Sequence, residues 1–319
     1  MESFERQLVD AVRRKREAEG LSIRALSAVV GISFSTLARI ERADGLPDNN
    51  SKIRLLEWLG ADAEEAGLTF DNVAFVHFRA AKNVRSSTVQ ALLRAADCIR
   101  RGAAAHIADV PGEGLASKLP PDHEVVALSK EELEQTAEKF RKELGLARDQ
   151  PLDSLQLDVE DVRVFRLTQT DCLQASVANR LRDEASEEWS AMSVPLDNTA
   201  ESWAVLLNDC HTRERQRVTL LEEFWHILLG HKLTKIARVA EAYGRTYDKV
   251  EEHDAYYLAS ATLLPRNALL KAVGRKMSSA EIARKFGTSP ELVDYRLKRL
   301  GLLREHVGKK IALSSTDSA

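Results

Sequence analysis

Short stretches of helical periodicity, each closed by a stop signal, make up the N-terminal part of the chain. The first begins near residue 5 and ends at Gly20. Two more, "SIRALSAVV" and "SFSTLARIERA", open with the N-cap residues Ser22 and Ser33 and are joined by "GIS". A fourth, "SKIRLLEWLG", follows Pro47. The pattern predicts a bundle of short helices up to about residue 59.

The pattern then alternates between strand and helix. Residues 72–80 alternate like a short strand, and "STVQALLRAADCIRRG" repeats apolar residues at helical spacing. Residues 102–124 hold Gly, Ala and Pro without a period, which indicates a linker. A helix then precedes the strand-like stretches "VRVFRL", "AMSVPL" and "AVLLND", and two helices are expected around residues 215–231 and 248–263. We therefore expect a mainly α protein with a small β-sheet (α+β). The predicted domains are 1–65 (helical), 66–126 (connector and linker), 127–268 (α+β) and 269–319 (basic helical segment with a disordered tail).

Composition and charge narrow the class of protein. The chain has 319 residues, 44% of them hydrophobic and 30% charged, as expected for a globular protein. The net charge of −3 gives no global nucleic-acid signature, so a DNA-binding surface must be local. No apolar run reaches the roughly 18 residues of a membrane span, and the N-terminus lacks a signal-peptide core. The three cysteines have no CxxC spacing, which argues against a cysteine-based zinc site. We expect a cytoplasmic protein.

The two helices joined by "GIS" have the form of a helix-turn-helix. Gly31 permits a left-handed turn, and no acidic residue occurs between Ser22 and Ile40. Arg24 and Arg39 lie in the same stretch, so its surface can approach phosphates. The alternative is a helical pair that only packs.

The stretch "LSIRALSAVVGISFSTLARIERADGLPD" resembles the phage-repressor-like (XRE) helix-turn-helix family. The resemblance covers about residues 5–60 and implies a regulator that binds a double-stranded DNA operator as a homodimer. One departure is Ile23, where the family often has Gln. Residues 33–41 match the recognition helix, and Arg39 is the best candidate for base readout, although a solvated Arg is nearly as good an interpretation. The residues expected at the DNA are Arg24, Ser33, Phe34, Ser35 and Arg39.

A second motif, "LLEEFWHILLGH", has the spacing of a metal-binding helix. Glu222 and His226 lie one turn apart on the same face, so both can bind one metal ion. Glu223 would then stand beside a metal-bound water as general base. Taken alone, the pattern is also typical of a solvated helix face.

The flanking residues add a second resemblance. "NDCHTRERQRVTLLEEFWHILLGH" and "EEHDAYYLASATLLP" resemble two blocks of the ImmA/IrrE family of zincin-like metallopeptidases, and the likeness covers about residues 127–265. It implies Glu252 as the third metal ligand, or Glu251 if the register slips by one residue. The chain departs from the family pattern at three positions: Glu222 replaces its first His, Trp225 its Gly and Tyr256 the Asn of the third-ligand block.

These departures weaken the case for peptidase chemistry. Two carboxylate ligands lower the Lewis acidity of a metal ion, and Trp225 adds bulk where a substrate chain would pass. We therefore expect zinc to be weakly bound or absent and the domain to be non-hydrolytic. His231, about 140° around the helix from His226, is expected to cap the helix rather than bind metal. His211 or His253 remains an alternative ligand.

The sequence thus indicates a DNA-binding transcriptional regulator whose zincin-like domain senses a small-molecule or protein signal. The first alternative is an active zinc endopeptidase that cleaves a repressor, and the second is an antitoxin-like interaction module. Residues 271–310, with eleven Lys and Arg against four acidic residues, leave a further choice open. They form either a packed helix pair with a solvated basic face or a second nucleic-acid surface that uses Lys285, Arg296, Lys298 and Arg299.

Overall fold

The structure, a computed structural model, divides into two compact units. The N-terminal unit holds residues 1–77, 84–120 and 233–247, and the C-terminal unit holds residues 78–83, 121–232 and 248–319. The residues that it describes are 4–42, 44–60, 62, 63, 66, 68, 71–80, 84–104, 127–196, 201–231, 234–239, 242–245 and 249–309. Most of the predicted linker (105–124) and the end of the predicted tail (310–319) lie outside them.

The N-terminal unit is built on the predicted helical bundle. Its helices are α1 (Phe4–Ala18), α2 (Ile23–Val30), α3 (Phe34–Glu41), α4 (Asn49–Leu59) and α5 (Ser86–Ala104). The bundle core is aliphatic and includes Leu8, Val12, Leu26, Leu37, Ile53, Leu56 and Leu59, each almost fully buried. Each of these residues lies on the inward face of its helix, so the apolar period of the sequence fixes which face packs.

Local signals set the turn between α2 and α3. The hydroxyl of Ser22 accepts from the backbone N–H of Ala25, and that of Ser33 accepts from Thr36. Gly31 between them has φ +64°, a left-handed conformation that glycine adopts at little cost. The two helix axes are bent by 118°. The helix-turn-helix geometry thus follows from residues within the motif itself.

An antiparallel sheet completes the N-terminal unit. Strand β1 (Asp71–Ala80) pairs with β5 (Thr234–Val239), which pairs with β6 (Ala242–Arg245). Strand β1 was predicted from its alternating pattern. The β5–β6 hairpin was not predicted, and it comes from the sequence between the two helices expected to carry metal ligands.

The C-terminal unit contains a mixed three-stranded sheet. Its strands are β2 (Val162–Arg166), β3 (Trp189–Pro195) and β4 (Trp203–Leu207). Strand β4 pairs in parallel with β2 and antiparallel with β3. Every residue of β3 and β4 is buried, whereas in β2 only Val162 is buried. A strand buried on both faces reads as a continuous apolar run, as "WAVLL" of β4 does, whereas β3 also buries Ser190 and Ser193.

Helices pack on this sheet and on one another. Helix α8 contacts β3 and β4, and α9 packs against both α6 and α8. The helices of the unit are α6 (Lys130–Glu143), α7 (Ala175–Asn179), α8 (Arg213–Leu228), α9 (Lys249–Leu263), α10 (Arg266–Gly274), α11 (Ser279–Phe286), α12 (Pro290–Leu300) and α13 (Leu303–His306), with a π-helical turn at Arg180–Glu184. Short 3-10 turns lie at Ser154–Gln156, Leu167–Gln169 and Ser186–Glu188.

The basic C-terminal segment is a packed helix pair. Helices α11 and α12 repeat the spacing of α2 and α3: Ser278 caps the first helix, Gly287 turns at φ +61°, and Ser289 caps the second. Arg296 on α12 is fully buried and makes two hydrogen bonds, of 2.9 and 3.2 Å, to the carboxylate of Glu134 on α6. Its burial removes Arg296 from the nucleic-acid surface considered above.

The expected fold class, mainly α with a small β-sheet (α+β), is confirmed. Among the described residues, no single helix has the length and apolar character of a membrane span; only the bent pair α2–α3 meets that test jointly.

Candidate metal centre and nucleic-acid interface

The exposed face of α3 carries the residues predicted to contact DNA. Ser33, Phe34, Ser35 and Arg39 are exposed there, and Arg24 is exposed on α2. Phe34 is 46% exposed, so part of its ring is accessible at this face. The opposite face, with Leu37 and Ile40, lies in the core.

Two arginine side chains of this face pack against neighbouring residues. The guanidinium of Arg24 lies over the ring of Phe34, 5.2 Å from its centroid. The side chain of Arg39 lies over Gly45, where a β-carbon would come within 3.0 Å of Nε. Both arginines are therefore held at the surface by local contacts.

An acidic side chain at the end of α3 is buried and paired with an arginine. Glu41, at the end of α3, is 5% exposed, and its two oxygens accept from Arg16 of α1 at 2.6 and 2.9 Å. Arg13 also donates to the backbone carbonyl of Glu41. The hydrogen bond with Glu41 raises the pKa of Arg16 above its ordinary value. A negative charge that would repel phosphates is thus buried and paired.

In the C-terminal unit, the three residues predicted as metal ligands lie together. Glu222 and His226 of α8 and Glu252 of α9 each offer one ligand atom, and these atoms lie within 4.8 Å of one another. The first two are buried, and Glu252 is half-buried. Donor atoms around one tetrahedral zinc ion lie roughly 3.4 Å apart, so small rotations of these side chains would close the site. The donor set, two carboxylates and one imidazole, fits a divalent cation.

Glu223, the predicted general base, is hydrogen-bonded to a residue of strand β3. Its side chain is 1% exposed, and its Oε2 accepts a hydrogen bond from the hydroxyl of Ser193 on β3, which is itself fully buried. Sequence reasoning missed Ser193, although a serine in the apolar stretch "AMSVPL" is a signal for a buried polar partner.

Comparison with protein families gives a match for each of the two parts of the chain that carry these residues. Residues 7–68 match a family model described as a helix-turn-helix domain, and residues 180–298 match one described as an IrrE N-terminal-like domain. The chain joins a helix-turn-helix domain to an IrrE-like domain. Comparison with curated proteins and with solved structures gave no match. The IrrE-like match includes α8, α9 and most of α12, so it runs past the boundary predicted at residue 268.

Trp225, one of the departures of this IrrE-like domain from the ImmA/IrrE pattern, packs inward. The indole is 3% exposed, and its ring lies 4.9 Å from that of Phe140 on α6. Its bulk therefore fills the contact between α6 and α8. The prediction that it stands where a substrate would pass overlooked this neighbour.

Among the described residues, the other histidines near α8 and α9 stand outside the group of predicted metal ligands. His231 lies beyond the end of α8, so the angular argument that treated it as helical was wrong. His211 is held by the carbonyl of Ser186, 2.8 Å from its Nε2, and His253 contacts Asp254 and Arg299. Within the part of the chain that the structure describes, neither His211 nor His253 joins the Glu222 group.

Arg217 is a structural residue of the IrrE-like domain that the sequence did not reveal. It lies on α8 and donates to the carbonyls of Leu152, Phe286 and Gly287, the contact with Phe286 being 2.9 Å. Its Nε lies 3.3 Å from the carboxylate of Asp153. Burial lowers the pKa of Arg217, although the charge of Asp153 opposes this.

Proposed function

We propose that the protein is a transcriptional regulator that binds a double-stranded operator, as a homodimer in the cytoplasm, through its helix-turn-helix domain. The observation that carries this is the charge pattern of α2 and α3. Arg24 and Arg39 are exposed, no acidic residue interrupts them, and Glu41 is paired with Arg16. A face of this kind attracts phosphates and leaves the exposed side chains of α3 available for base edges.

Selection from random double-stranded DNA with the full-length protein tests this proposal. We expect one enriched sequence, with two half-sites if the protein binds as a dimer. Binding to that sequence, followed by fluorescence anisotropy, should weaken steeply with salt. Arg39→Ala should lower the affinity by about tenfold or more. No enrichment, together with equal binding of all sequences, would overturn the proposal.

We infer that the IrrE-like domain acts as a sensor or partner-binding module without peptidase activity. A bound zinc ion would supply Lewis acidity and a more acidic water, but two carboxylate ligands reduce both effects relative to a site with two imidazoles. The surroundings of Glu223 are a second reason to expect no peptidase activity. One of its carboxylate oxygens accepts a hydrogen bond from Ser193, and the side chain is buried. A general base must reach the proton that it abstracts. The pocket that receives the signal is expected between α8 and α9.

Elemental analysis of the purified full-length protein, beside a Glu222→His variant, tests this inference. We expect little zinc in the natural protein and more in the variant, because the substitution restores a second imidazole ligand. A full equivalent of zinc in the natural protein, with cleavage of a peptide library, would overturn it.

The alternative, a zinc endopeptidase that cleaves a repressor, is favoured by one observation. Glu222, His226 and Glu252 converge, and Glu223 lies beside the first of them on α8. If this alternative holds, Glu223→Gln should abolish cleavage of a co-expressed repressor and leave DNA binding unchanged. Equal cleavage of the repressor by the natural protein and by Glu223→Gln would exclude the peptidase alternative.

A further inference from the structure

Helix α8 ends in a turn that folds the chain back over its last residues. Gly230 has φ +63°, and its N–H donates to the carbonyl of Ile227 at 3.0 Å. The N–H of His231 donates to the carbonyl of His226, also at 3.0 Å. This pair of hydrogen bonds defines a Schellman motif, in which the residue after the glycine lies over the residue five positions earlier.

The two side chains brought together by this motif are both imidazoles. Nδ1 of His231 lies 3.0 Å from Nδ1 of His226, and the ring centroids are 5.0 Å apart with the planes at 73°. One of the two nitrogens must carry the hydrogen and the other must accept it. The contact uses Nδ1 of His226, so a metal ion would have to bind the other ring nitrogen, Nε2.

We propose that His231 is a positioning residue that prepares His226 to bind a divalent cation. As acceptor, His231 holds the hydrogen of His226 on Nδ1, so that Nε2 carries a lone pair. The same contact restricts rotation of the ring, one nitrogen of which lies within 4.8 Å of ligand atoms of Glu222 and Glu252. Partners of this kind raise the basicity of a metal-bound histidine and restrict its rotation. The proposal rests on the cation site formed by these three residues, and it requires no peptidase activity.

Zinc affinity of the full-length protein, measured by competition with a chromophoric chelator, tests the proposal. His231→Phe keeps a ring of similar size but removes the nitrogen, and we expect it to weaken zinc binding by about 10- to 100-fold. His231→Asn places an amide near the former Nδ1 position and should restore most of the affinity. The melting temperature without metal should change little, because His231 is only half-buried.

A second readout needs no metal. In the metal-free natural protein, nitrogen NMR of the imidazoles should show His226 protonated on Nδ1, and His231→Phe should mix the two tautomers. The proposal is wrong if His231→Phe binds zinc as tightly as the natural protein does and His226 has the same tautomer in both metal-free proteins. His231 would then have only a structural role. If the natural protein binds no zinc even at millimolar concentration, the cation site fails and the proposal fails with it. DNA binding by the helix-turn-helix domain remains a separate result in either case.

Discussion

The guanidinium of Arg217 on α8 donates a hydrogen bond to the backbone carbonyl of Gly287 within the C-terminal unit. Gly287 is the glycine at the turn between α11 and α12. Nη1 of Arg217 lies so close that a β-carbon at Gly287 would meet it at 1.7 Å. The same guanidinium donates to Leu152. The helix that carries Glu222 and His226 is therefore fixed directly to the C-terminal helix pair.

Gly287→Ala should destabilise the protein by more than an ordinary left-handed glycine would. The backbone conformation alone costs roughly 1–3 kcal/mol for a residue with a side chain, and the clash with Arg217 adds to it. Gly301→Ala is the matched control, since Gly301 has φ +75° and open space around it. Chemical denaturation of both variants gives the comparison. Equal losses of unfolding free energy would mean that the Arg217 contact contributes nothing.

The buried ion pair between Arg296 and Glu134 gives a second prediction. Arg296→Met leaves the Glu134 carboxylate buried without its partner, which should cost about 3–5 kcal/mol of unfolding free energy. The double variant Arg296→Met, Glu134→Gln removes both charges but keeps an acceptor for the hydroxyl of Tyr257, which donates to Glu134 at 2.5 Å. We expect the double variant to recover much of the loss. If it is no more stable than the single variant, the cost arises from packing rather than from the unpaired charge.

Tyr257 and Glu134 also affect each other's titration. Burial and the hydrogen bond to Glu134 raise the pKa of Tyr257 to about 12. Burial alone would raise the pKa of Glu134, but the hydrogen bonds and charge of Arg296 outweigh it, and the pKa is lowered. The Glu134 carboxylate is therefore charged near neutral pH, as the ion pair requires.

His211 should make stability depend on pH just below neutrality. Burial and the charge of Arg215 lower the pKa of His211 below its ordinary value of 6.5. The unfolded chain therefore binds this proton at a higher pH than the folded chain. The stabilisation is fully present above about pH 6.5 and is lost as the pH falls toward the folded pKa.

Denaturation at about pH 7.5 and 5.5 measures this contribution. The natural protein should lose more unfolding free energy on acidification than His211→Gln, whose amide can still donate to the carbonyl of Ser186 but does not titrate. Parallel losses in the two proteins would show that His211 has the same pKa in both states.

Local sequence signals predicted the elements whose causes are local. Ser22, Gly31 and Ser33 mark the helix-turn-helix because each acts within its own turn. The spacing of Glu222 and His226 likewise needs only one helix. By contrast, the burial of Arg296 depends on Glu134, 162 residues earlier, so its charge suggested a surface position. The hydrogen bond of Ser193 to Glu223 also joins distant residues, and no periodicity reveals it.

The arrangement of Phe34 and Arg24 leads to a prediction about operator sequence that depends on the proposed DNA binding. An exposed aromatic ring at the start of a recognition helix can contact the methyl group of thymine, and Arg24 lies over this ring. Replacing single thymines of the selected operator by deoxyuridine removes only that methyl group. At one position we expect about a fourfold loss of affinity for the natural protein, as for one buried methyl group, and no loss for Phe34→Ala. Arg39→Ala is the control, because it should bind more weakly yet keep the same response to deoxyuridine. If Phe34→Ala responds as the natural protein does, another residue contacts that thymine and the assignment of Phe34 is wrong.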